Sequence, residues 1–351
     1  MLSSSGAEVS TSSPVSSSRK RLNPSPLAFA LLPFPLNRLL PLKKPLPFAN
    51  DAVRTRDLKY YIFDWDDNIL HMPTKIKMEH LEDDGTWKPV EVTTSTFSII
   101  RRDTVHYRAP GGVWDEAFRN FEDAPDTTHF IEDTVTALER IEHGEKPGPS
   151  YNALKKTLRE GRLFAIVTAR GHSSETLERA VRVFIKYALT EEERAEMLSN
   201  IRGYRMWLGG AKESDFGTDV EELDRYLRKC RYSAVTNKGF RQRMTEDPIY
   251  HEKLAFATTA ARPELAKEFA IRDFVEHVFH LLRKAGVMNR SISIGFSDDD
   301  KGNVKCVSDY IRAELARRFD AIKFVVYDTS DRSLPKGRKV CIAGQLNLPG
   351  F

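Results

Sequence analysis

Short apolar runs recur along the chain, and each is followed by polar residues and then by a helical pattern. The three clearest runs are 60–63, 163–167 and 291–296. An apolar run of this length is typical of a strand that is buried on both faces of a parallel sheet. Strands that alternate with helices predict an α/β protein with a doubly wound parallel sheet. Two further strands are predicted at 232–236 and 322–327.

Polar side chains follow each of these runs. Asp64 and Asp66 come after the first, Thr168 after the second, and Asp298 and Asp299 after the third. Open α/β sheets bind ligands at the carboxyl ends of their strands, so we expect these side chains to meet there. Neighbouring carboxylates repel each other unless a cation balances them. The pattern therefore predicts a hard cation held by oxygen ligands, with one carboxylate free to attack a substrate.

The strand ends resemble the signatures of the haloacid dehalogenase (HAD) superfamily of phosphohydrolases. That family has an Asp-x-Asp strand end, a Ser or Thr strand end, a lysine near a helix start and a paired-acid strand end. Three of these four occur here in the required order, and the resemblance covers about residues 57–330. It implies a Mg²⁺-dependent phosphatase that hydrolyses phosphate monoesters through an aspartyl phosphate. Many members have Thr or Val where this chain has Asn68, which can still hydrogen-bond across the turn.

The resemblance also implies a role for each site residue. Asp64 is the expected nucleophile, and Asp66 is the expected general acid and base. Thr168, Ala169 and Arg170 are expected to bind phosphate, although Arg170 suits a carboxylate partner equally well. The ligands expected for Mg²⁺ are Asp64, Asp66, Asp298 and Asp299.

The lysine that completes the family pattern has three candidates, Lys238, Lys253 and Lys267. We choose Lys267 because it lies at the start of the helix that leads to the third acid-bearing strand. There it is expected to bind phosphate and to neutralise the nucleophile. Asp300, at the same strand end, also suits the N-cap of the next helix.

The chain divides into a disordered Ser/Pro-rich basic tail (1–56), a HAD-like domain (57–330) and a C-terminal extension (331–351). Cap insertions are expected at about 71–126 and 190–242. Residues 74–101 alternate in a β manner around the turn Asp83-Asp84-Gly85, which predicts a hairpin of 75–80 with 90–93. The hairpin matches the flap that HAD proteins place beside the active site, but it would equally suit a simple extension of the sheet.

The positive charge of the chain lies in the tail. The whole chain has a formal charge of +4, while residues 1–56 contain eight Lys and Arg against two acids, which leaves the body near −2. Either an organelle transit peptide or an extension without an address explains a Ser-rich, acid-poor tail. The predicted location is therefore the cytoplasm, or an organelle stroma or matrix. Three scattered cysteines suit a reducing compartment, and no apolar run is long enough to span a membrane.

Two other functions stay open beside the phosphatase. A receiver-like phosphoacceptor also combines clustered acids with a Thr and a Lys, but it is smaller than this chain with its insertions. A non-catalytic binding protein of the same fold is the other alternative. For the phosphatase we expect a small-molecule phosphate ester as substrate. A nucleic-acid end is disfavoured by the nearly neutral body.

Overall fold

The computed structural model describes residues 49–123, 129–257, 262–331, 333–334 and 336–344. The strands in this part of the chain are β1 (Leu58–Phe63), β2 (Ile76–Leu81), β3 (Trp87–Val92), β4 (Tyr107–Arg108), β5 (Phe164–Thr168), β6 (Arg231–Ala234), β7 (Ile292–Asp298), β8 (Ile322–Asp328) and β9 (Arg338–Ala343). Six of them form the main sheet in the order β6-β5-β1-β7-β8-β9. All neighbours in it are parallel except β8 and β9. The prediction of an α/β protein with a mostly parallel sheet is confirmed.

Most of the helices cover the two faces of this sheet. They are α1 (Thr94–Ile100), α2 (Trp114–Ala117), α3 (His129–Glu142), α4 (Tyr151–Arg159), α5 (Ser174–Ala188), α6 (Glu191–Gly209), α7 (Asp219–Leu227), α8 (Lys238–Glu246), α9 (Pro248–Phe256), α10 (Arg262–Lys284), α11 (Lys301–Tyr310) and α12 (Ala316–Arg318). Residues of α3 to α7 build one buried core, and residues of α8 to α11 build the other. The strand order and the two cores define a Rossmann-like, doubly wound arrangement.

The side chains of β1 explain how one strand supplies both cores. Leu58, Tyr60 and Ile62 belong to the core that contains α10, whereas Phe63 belongs to the core that contains α5. Alternate residues of a strand point to opposite faces, so a strand between two helical layers must be apolar at almost every position. Each large side chain buried in this way contributes about 1.5–3 kcal/mol to stability. The apolar run at 60–63 in the sequence therefore results from the burial of both faces of β1.

The predicted disordered tail, residues 1–56, is wrong at its C-terminal end. Asp51–Arg54 forms a 3₁₀ helix whose Val53 side chain is fully buried. The backbone N–H of Asn50 donates to the carbonyl of Ser199 in α6 at 3.1 Å. Apolar burial and this hydrogen bond attach the segment before β1 to the body of the domain. Residues 1–48, where the transit peptide was considered, lie outside the described residues.

The prediction of a cap insertion at 190–242 is also wrong. This segment contains β6, which pairs with β5 in the main sheet, and α6 and α7, whose apolar side chains lie in one of the two cores. Helix α6 contacts the 3₁₀ helix that precedes β1, and Tyr226 of α7 donates to the carbonyl of Arg162 just before β5. Both helices therefore lie towards the amino ends of the strands, away from the expected site.

The predicted hairpin is confirmed, since β2 pairs antiparallel with β3 from Ile76↔Val92 to Leu81↔Trp87. The β-like alternation expected to continue to residue 101 is wrong, because residues 94–100 form α1. Thr93 caps this helix by accepting from the backbone N–H of Thr96, and that local bond favours helix over strand. Together with β4 and α2, these elements build a small separate core. Residues 124–126 of the predicted insertion lie outside the described residues.

The predicted C-terminal extension, 331–351, is wrong in part, because β9 joins the main sheet beside β8. The exposed and buried positions of β9 show why it was missed, since only Cys341 is fully buried in this edge strand. In the part of the chain that the structure describes, no helix has the length and apolar character needed to cross a membrane.

Candidate metal-binding and catalytic site

The site lies where the strand order reverses. In the sheet, β1 lies between β5 and β7, so the chain leaves β1 towards one edge and later returns to build the other. The carboxyl ends of β1 and β7 form a crevice at this switch point, which is the usual ligand position in such sheets. Asp64 follows β1 and Asp298 ends β7. Their alignment is fixed by a hydrogen bond of 3.1 Å from the Asp64 backbone N–H to the Ser297 carbonyl.

Three carboxylates from distant parts of the chain meet in this crevice. Asp64, Asp298 and Asp299 each place a carboxylate oxygen within 4.8 Å of the others. Asp64 and Asp298 are buried, and Asp299 is half-buried. The structure therefore brings together three of the four residues that were predicted as metal ligands.

Lys267 is the lysine that reaches this cluster. Its Nζ lies 2.6 Å from Asp298 Oδ2 and 3.6 Å from Asp64 Oδ1. Of the other candidates, Lys238 is exposed at the start of α8, and Lys253 pairs with Glu268 and Glu314. Among the three, the geometry thus favours the lysine chosen from its position before the acid-bearing strand.

Among the described residues, three carboxylates and one ammonium group meet in the cluster, so its charges are unbalanced. Burial, together with the charges of Asp298 and Asp299, holds the pKa of Asp64 well above its ordinary value. Burial and then the Asp298 carboxylate raise the pKa of Asp299 to about 8. Burial opposes the charged form of Lys267, but Asp298 and Asp64 overcome it and raise the pKa of the lysine. Burial and the neighbouring carboxylates therefore favour the protonated forms of Asp64 and Asp299.

The carboxylate of Asp66 points to a different partner. Arg170 donates to it through two N–H groups, with Nε 2.8 Å from Oδ2 and Nη2 2.7 Å from Oδ1. Thr168 Oγ1 lies 3.4 Å from the same Oδ2. This two-point ion pair assigns Arg170 to a carboxylate, one of the two partners that its sequence context suggested. Asp66 is not among the three carboxylates that meet in the crevice.

Arg170 is itself enclosed. It is only 1% exposed, and its guanidinium lies between the rings of Phe121 and Phe130, at 4.5 and 4.6 Å from their centroids. Nη2 also donates to Thr74 Oγ1 at 2.9 Å. The neighbouring Ala169 accepts from Thr236 Oγ1 through its carbonyl. Arg170 has no freedom in this arrangement to reach a separate phosphate.

Asn68 joins the strand ends and is the residue whose importance the sequence did not reveal. Its Nδ2 donates to the Asp64 carbonyl at 3.0 Å and to Ser297 Oγ at 3.1 Å. Its Oδ1 accepts from the hydroxyls of Ser150 and Thr329, both at 2.8 Å. An amide side chain offers two N–H donors and an oxygen that accepts two hydrogen bonds, so it can pair with all of these buried polar groups. Neither Thr nor Val could make this set of hydrogen bonds. Asn68 stands where many HAD proteins have Thr or Val, and its side chain links the carboxyl ends of β1, β7 and β8.

The insertion after β1 reaches over the crevice. At one end of α1, Thr94 Oγ1 donates to Asp67 Oδ2 at 2.6 Å, and beyond its other end Arg101 donates to Asp300 Oδ2 at 2.9 Å. Asp67 has a positive φ of 55°, an uncommon conformation for a residue other than glycine. Asp300 caps α11 through Oδ1, as its position suggested. Helix α1 thus bridges the segments that follow β1 and β7.

The donor set fits Mg²⁺. Asp64, Asp298 and Asp299 would hold it, because the ion prefers carboxylate oxygens and keeps several waters. Burial and the neighbouring carboxylates raise the pKa of Asp64 and of Asp299, and a divalent cation would supply positive charge that favours their ionised forms. No cysteine enters this set, since Cys230 and Cys341 lie in the two cores and Cys306 contacts Glu268.

Comparison with known proteins gives no relative, because no family model, no curated protein and no solved structure matches this chain. The fold and the site therefore define the class directly. The chain is an α/β protein with a mostly parallel sheet and a carboxylate–lysine cluster at its topological switch point.

Proposed function

We propose that the protein is a Mg²⁺-dependent phosphatase of the HAD type that hydrolyses phosphate monoesters through an aspartyl phosphate on Asp64. The observation that carries the proposal is the meeting of Asp64, Asp298, Asp299 and Lys267 at the switch point of the sheet. These residues are far apart in the sequence. The stability of the fold does not require three acids at one crevice, and the repulsion between their like charges lowers that stability.

Asp64 is the proposed nucleophile. One of its carboxylate oxygens attacks phosphorus, the ester P–O bond breaks, and the leaving alkoxide takes a proton to become an alcohol. Water then attacks the aspartyl phosphate, releases inorganic phosphate and restores the carboxylate. Mg²⁺, when bound by the three carboxylates, supplies positive charge that lets an anionic nucleophile meet an anionic phosphate.

Lys267 and Asp66 have supporting roles in this proposal. Lys267 contacts Asp298 and Asp64, so it fixes their positions and offsets part of their charge. Asp66 would exchange the proton with the leaving group and the attacking water through a carboxylate lone pair that the two Arg170 hydrogen bonds leave free. Because both of its oxygens accept from Arg170, the carboxylate has a fixed orientation two residues after the nucleophile. Thr168, near Asp66, would donate its hydroxyl to a phosphate oxygen.

The strand order weighs against the receiver-like alternative. Receivers have the flavodoxin-like order 2-1-3-4-5, in which the first core strand lies between the second and the third. Here β1 lies between β5 and β7, which are the second and fourth strands of the main sheet in chain order. The bridge that α1 makes between the segments after β1 and β7 favours a small phosphate ester as substrate.

A phosphate-release screen tests the proposal. Sugar phosphates, nucleotides, an aryl phosphate and phosphorylated oligonucleotide ends would be incubated with the full chain, with Mg²⁺ or with EDTA. We expect turnover with Mg²⁺ and its loss in EDTA, and we expect acid-quenched enzyme to carry one phosphoryl group on Asp64. Phosphate release that continues in EDTA, or an unmodified Asp64 during turnover, would falsify the mechanism. Asp64→Asn without any effect would leave the non-catalytic binding protein as the better description.

A further inference from the structure

Past Arg170, the surroundings of Asp66 continue to the buried imidazole of His172 and to the exposed carboxylate of Asp123. His172 Nε2 lies 3.4 Å from Arg170 Nη1, and His172 Nδ1 lies 3.0 Å from Asp123 Oδ1. His172 is 1% exposed, and its ring stacks on Phe130 with a centroid distance of 4.6 Å. The imidazole therefore has a fixed position between a guanidinium and a carboxylate.

The contacts of His172 define which ring nitrogen carries the proton. An arginine N–H can only donate, so Nε2 must accept with its lone pair. The proton then lies on Nδ1 and is donated to Asp123. Burial, reinforced by the Arg170 charge, lowers the pKa of His172 to about 4, in agreement with a neutral ring at pH 7. The geometry thus selects the neutral Nδ1–H tautomer.

We propose that His172 and Asp123 are positioning residues that act on Asp66 through Arg170, an inference that rests on the proposed phosphatase function. Asp123 fixes the tautomer of His172, and His172 accepts one N–H of the guanidinium. The Nε–Nη2 edge of Arg170 is then directed at Asp66, where it makes both hydrogen bonds. Partners of this kind hold a reacting group in one orientation without touching the substrate.

The insertion after β1 supplies several parts of this arrangement. Thr74, Phe121 and Asp123 belong to it, and each contacts either Arg170 or His172. Asp123 is held in turn by the start of α5, since the Ser173 backbone N–H donates to Asp123 Oδ2 at 2.7 Å. The insertion, which reaches over the crevice, would therefore also help to orient Asp66, the proposed proton-transfer group.

Steady-state kinetics on the full chain with Mg²⁺ and an aryl phosphate test the proposal. We expect His172→Ala to lower kcat by roughly 10- to 100-fold, the usual cost of losing such a partner, and to change KM little. His172→Gln keeps an acceptor for Arg170 and should recover most of the activity. Asp123→Ala should lower kcat in the same direction.

Two comparisons separate positioning from general damage. In an Arg170→Ala background, His172→Ala should cause no further loss, because its target is already absent. His277→Ala is the matched control, since His277 Nδ1 also contacts an arginine, Arg231, at 2.7 Å but at the amino end of β6. This control should retain kcat. An unchanged kcat in His172→Ala, a His172→Gln variant as poor as His172→Ala, or a full further loss in the Arg170→Ala background would overturn the proposal.

A second measurement does not depend on activity or on variants that fold. Long-range ¹H–¹⁵N spectra of the wild-type chain at pH 7 should show His172 as the neutral Nδ1–H tautomer. An Nε2–H tautomer or a doubly protonated ring would overturn the inference. If no ester is hydrolysed but the tautomer is the expected one, the proposed function fails while the contact network stands. Activity combined with the wrong tautomer contradicts the positioning role alone.

Discussion

Two buried carboxylates of this molecule, Glu222 and Asp64, have opposite electrostatic surroundings. Glu222 lies between α6 and α7, and its Oε1 accepts from Arg205 Nη1 at 2.6 Å, from Arg225 Nη1 at 2.9 Å and from the Gly217 backbone N–H at 3.0 Å. Asp64 has one ammonium group, that of Lys267, at 3.6 Å and shares its crevice with two further carboxylates. One acid has surplus positive charge around it, and the other has too little.

The difference separates a structural ion pair from a site prepared for a ligand. A buried charge is tolerated when partners are built into the fold, as around Glu222. Around Asp64 the described residues supply one ammonium group for three carboxylates, and burial, together with the charges of Asp298 and Asp299, holds the pKa of Asp64 above its ordinary value. Unbalanced acids at a strand end are therefore a stronger indication of function than burial or acidity alone.

The largest expected effect comes from Asp64→Asn. Loss of the proposed nucleophile should lower kcat by at least about 10³-fold, because removing the attacking group of a covalent mechanism leaves only binding and electrostatic contributions. The same substitution removes a poorly compensated buried charge, so without metal at pH 8 the variant should be more stable than wild type. Phosphate release and urea denaturation measure the two effects. A variant that is both active and less stable would contradict the comparison.

Glu222→Gln should show the reverse pattern. It leaves Arg205 and Arg225 without their carboxylate, and breaking a buried ion pair in this way should cost about 3 kcal/mol of unfolding free energy. The kcat of the folded fraction should be that of wild type, because α6 and α7 lie towards the amino ends of the strands. Urea denaturation and active-site titration test this. A variant as stable as wild type but with a lower kcat would show that Glu222 is a functional residue and not part of a structural ion pair.

Mg²⁺ should distinguish the two carboxylates in a third way. A ligand that binds only the folded state stabilises it by about 2.7 kcal/mol at a hundred times its Kd, so Tm should rise with Mg²⁺. The rise should persist in Glu222→Gln and be lost in Asp298→Asn. It should also be larger at pH 8 than at pH 6, because the metal displaces protons from Asp64 and Asp299. Thermal unfolding with Mg²⁺ or EDTA gives the answer, and an equal rise in the Asp298→Asn variant would exclude the proposed ligands.

The sequence predicted the parts of the molecule that depend on local pattern. Apolar runs such as 163–167 gave the strands, and the acids behind them gave the crevice, because parallel strands align their carboxyl ends. The position of residues 190–242 in the fold could not be predicted, since an amphipathic helix has the same sequence pattern whether it covers a sheet or caps a site. The pairing of Asp66 with Arg170 joins residues 104 positions apart, and Asn68 bonds to Thr329 across 261 positions. Such contacts depend on tertiary packing, and no pattern of residue spacing in the sequence indicates them.

The smallest expected effect is a pH dependence of stability without metal, and it follows from Asp299. The pKa of Asp299 is about 8 in the folded chain, against an ordinary value of 3.8. Between these values the folded state keeps a proton that the unfolded state has lost, so stability declines as the pH rises and the decline ends above about pH 8. Between pH 6 and pH 8.5 the unfolding free energy should therefore fall by about 2.5 kcal/mol, and Tm should fall by several degrees. Asp299→Asn cannot release this proton and should flatten the curve, whereas Glu222→Gln should keep its slope. A Tm that rises over this range in EDTA would show that the crevice is not short of positive charge, and the contrast between the two buried acids would then lose its physical basis.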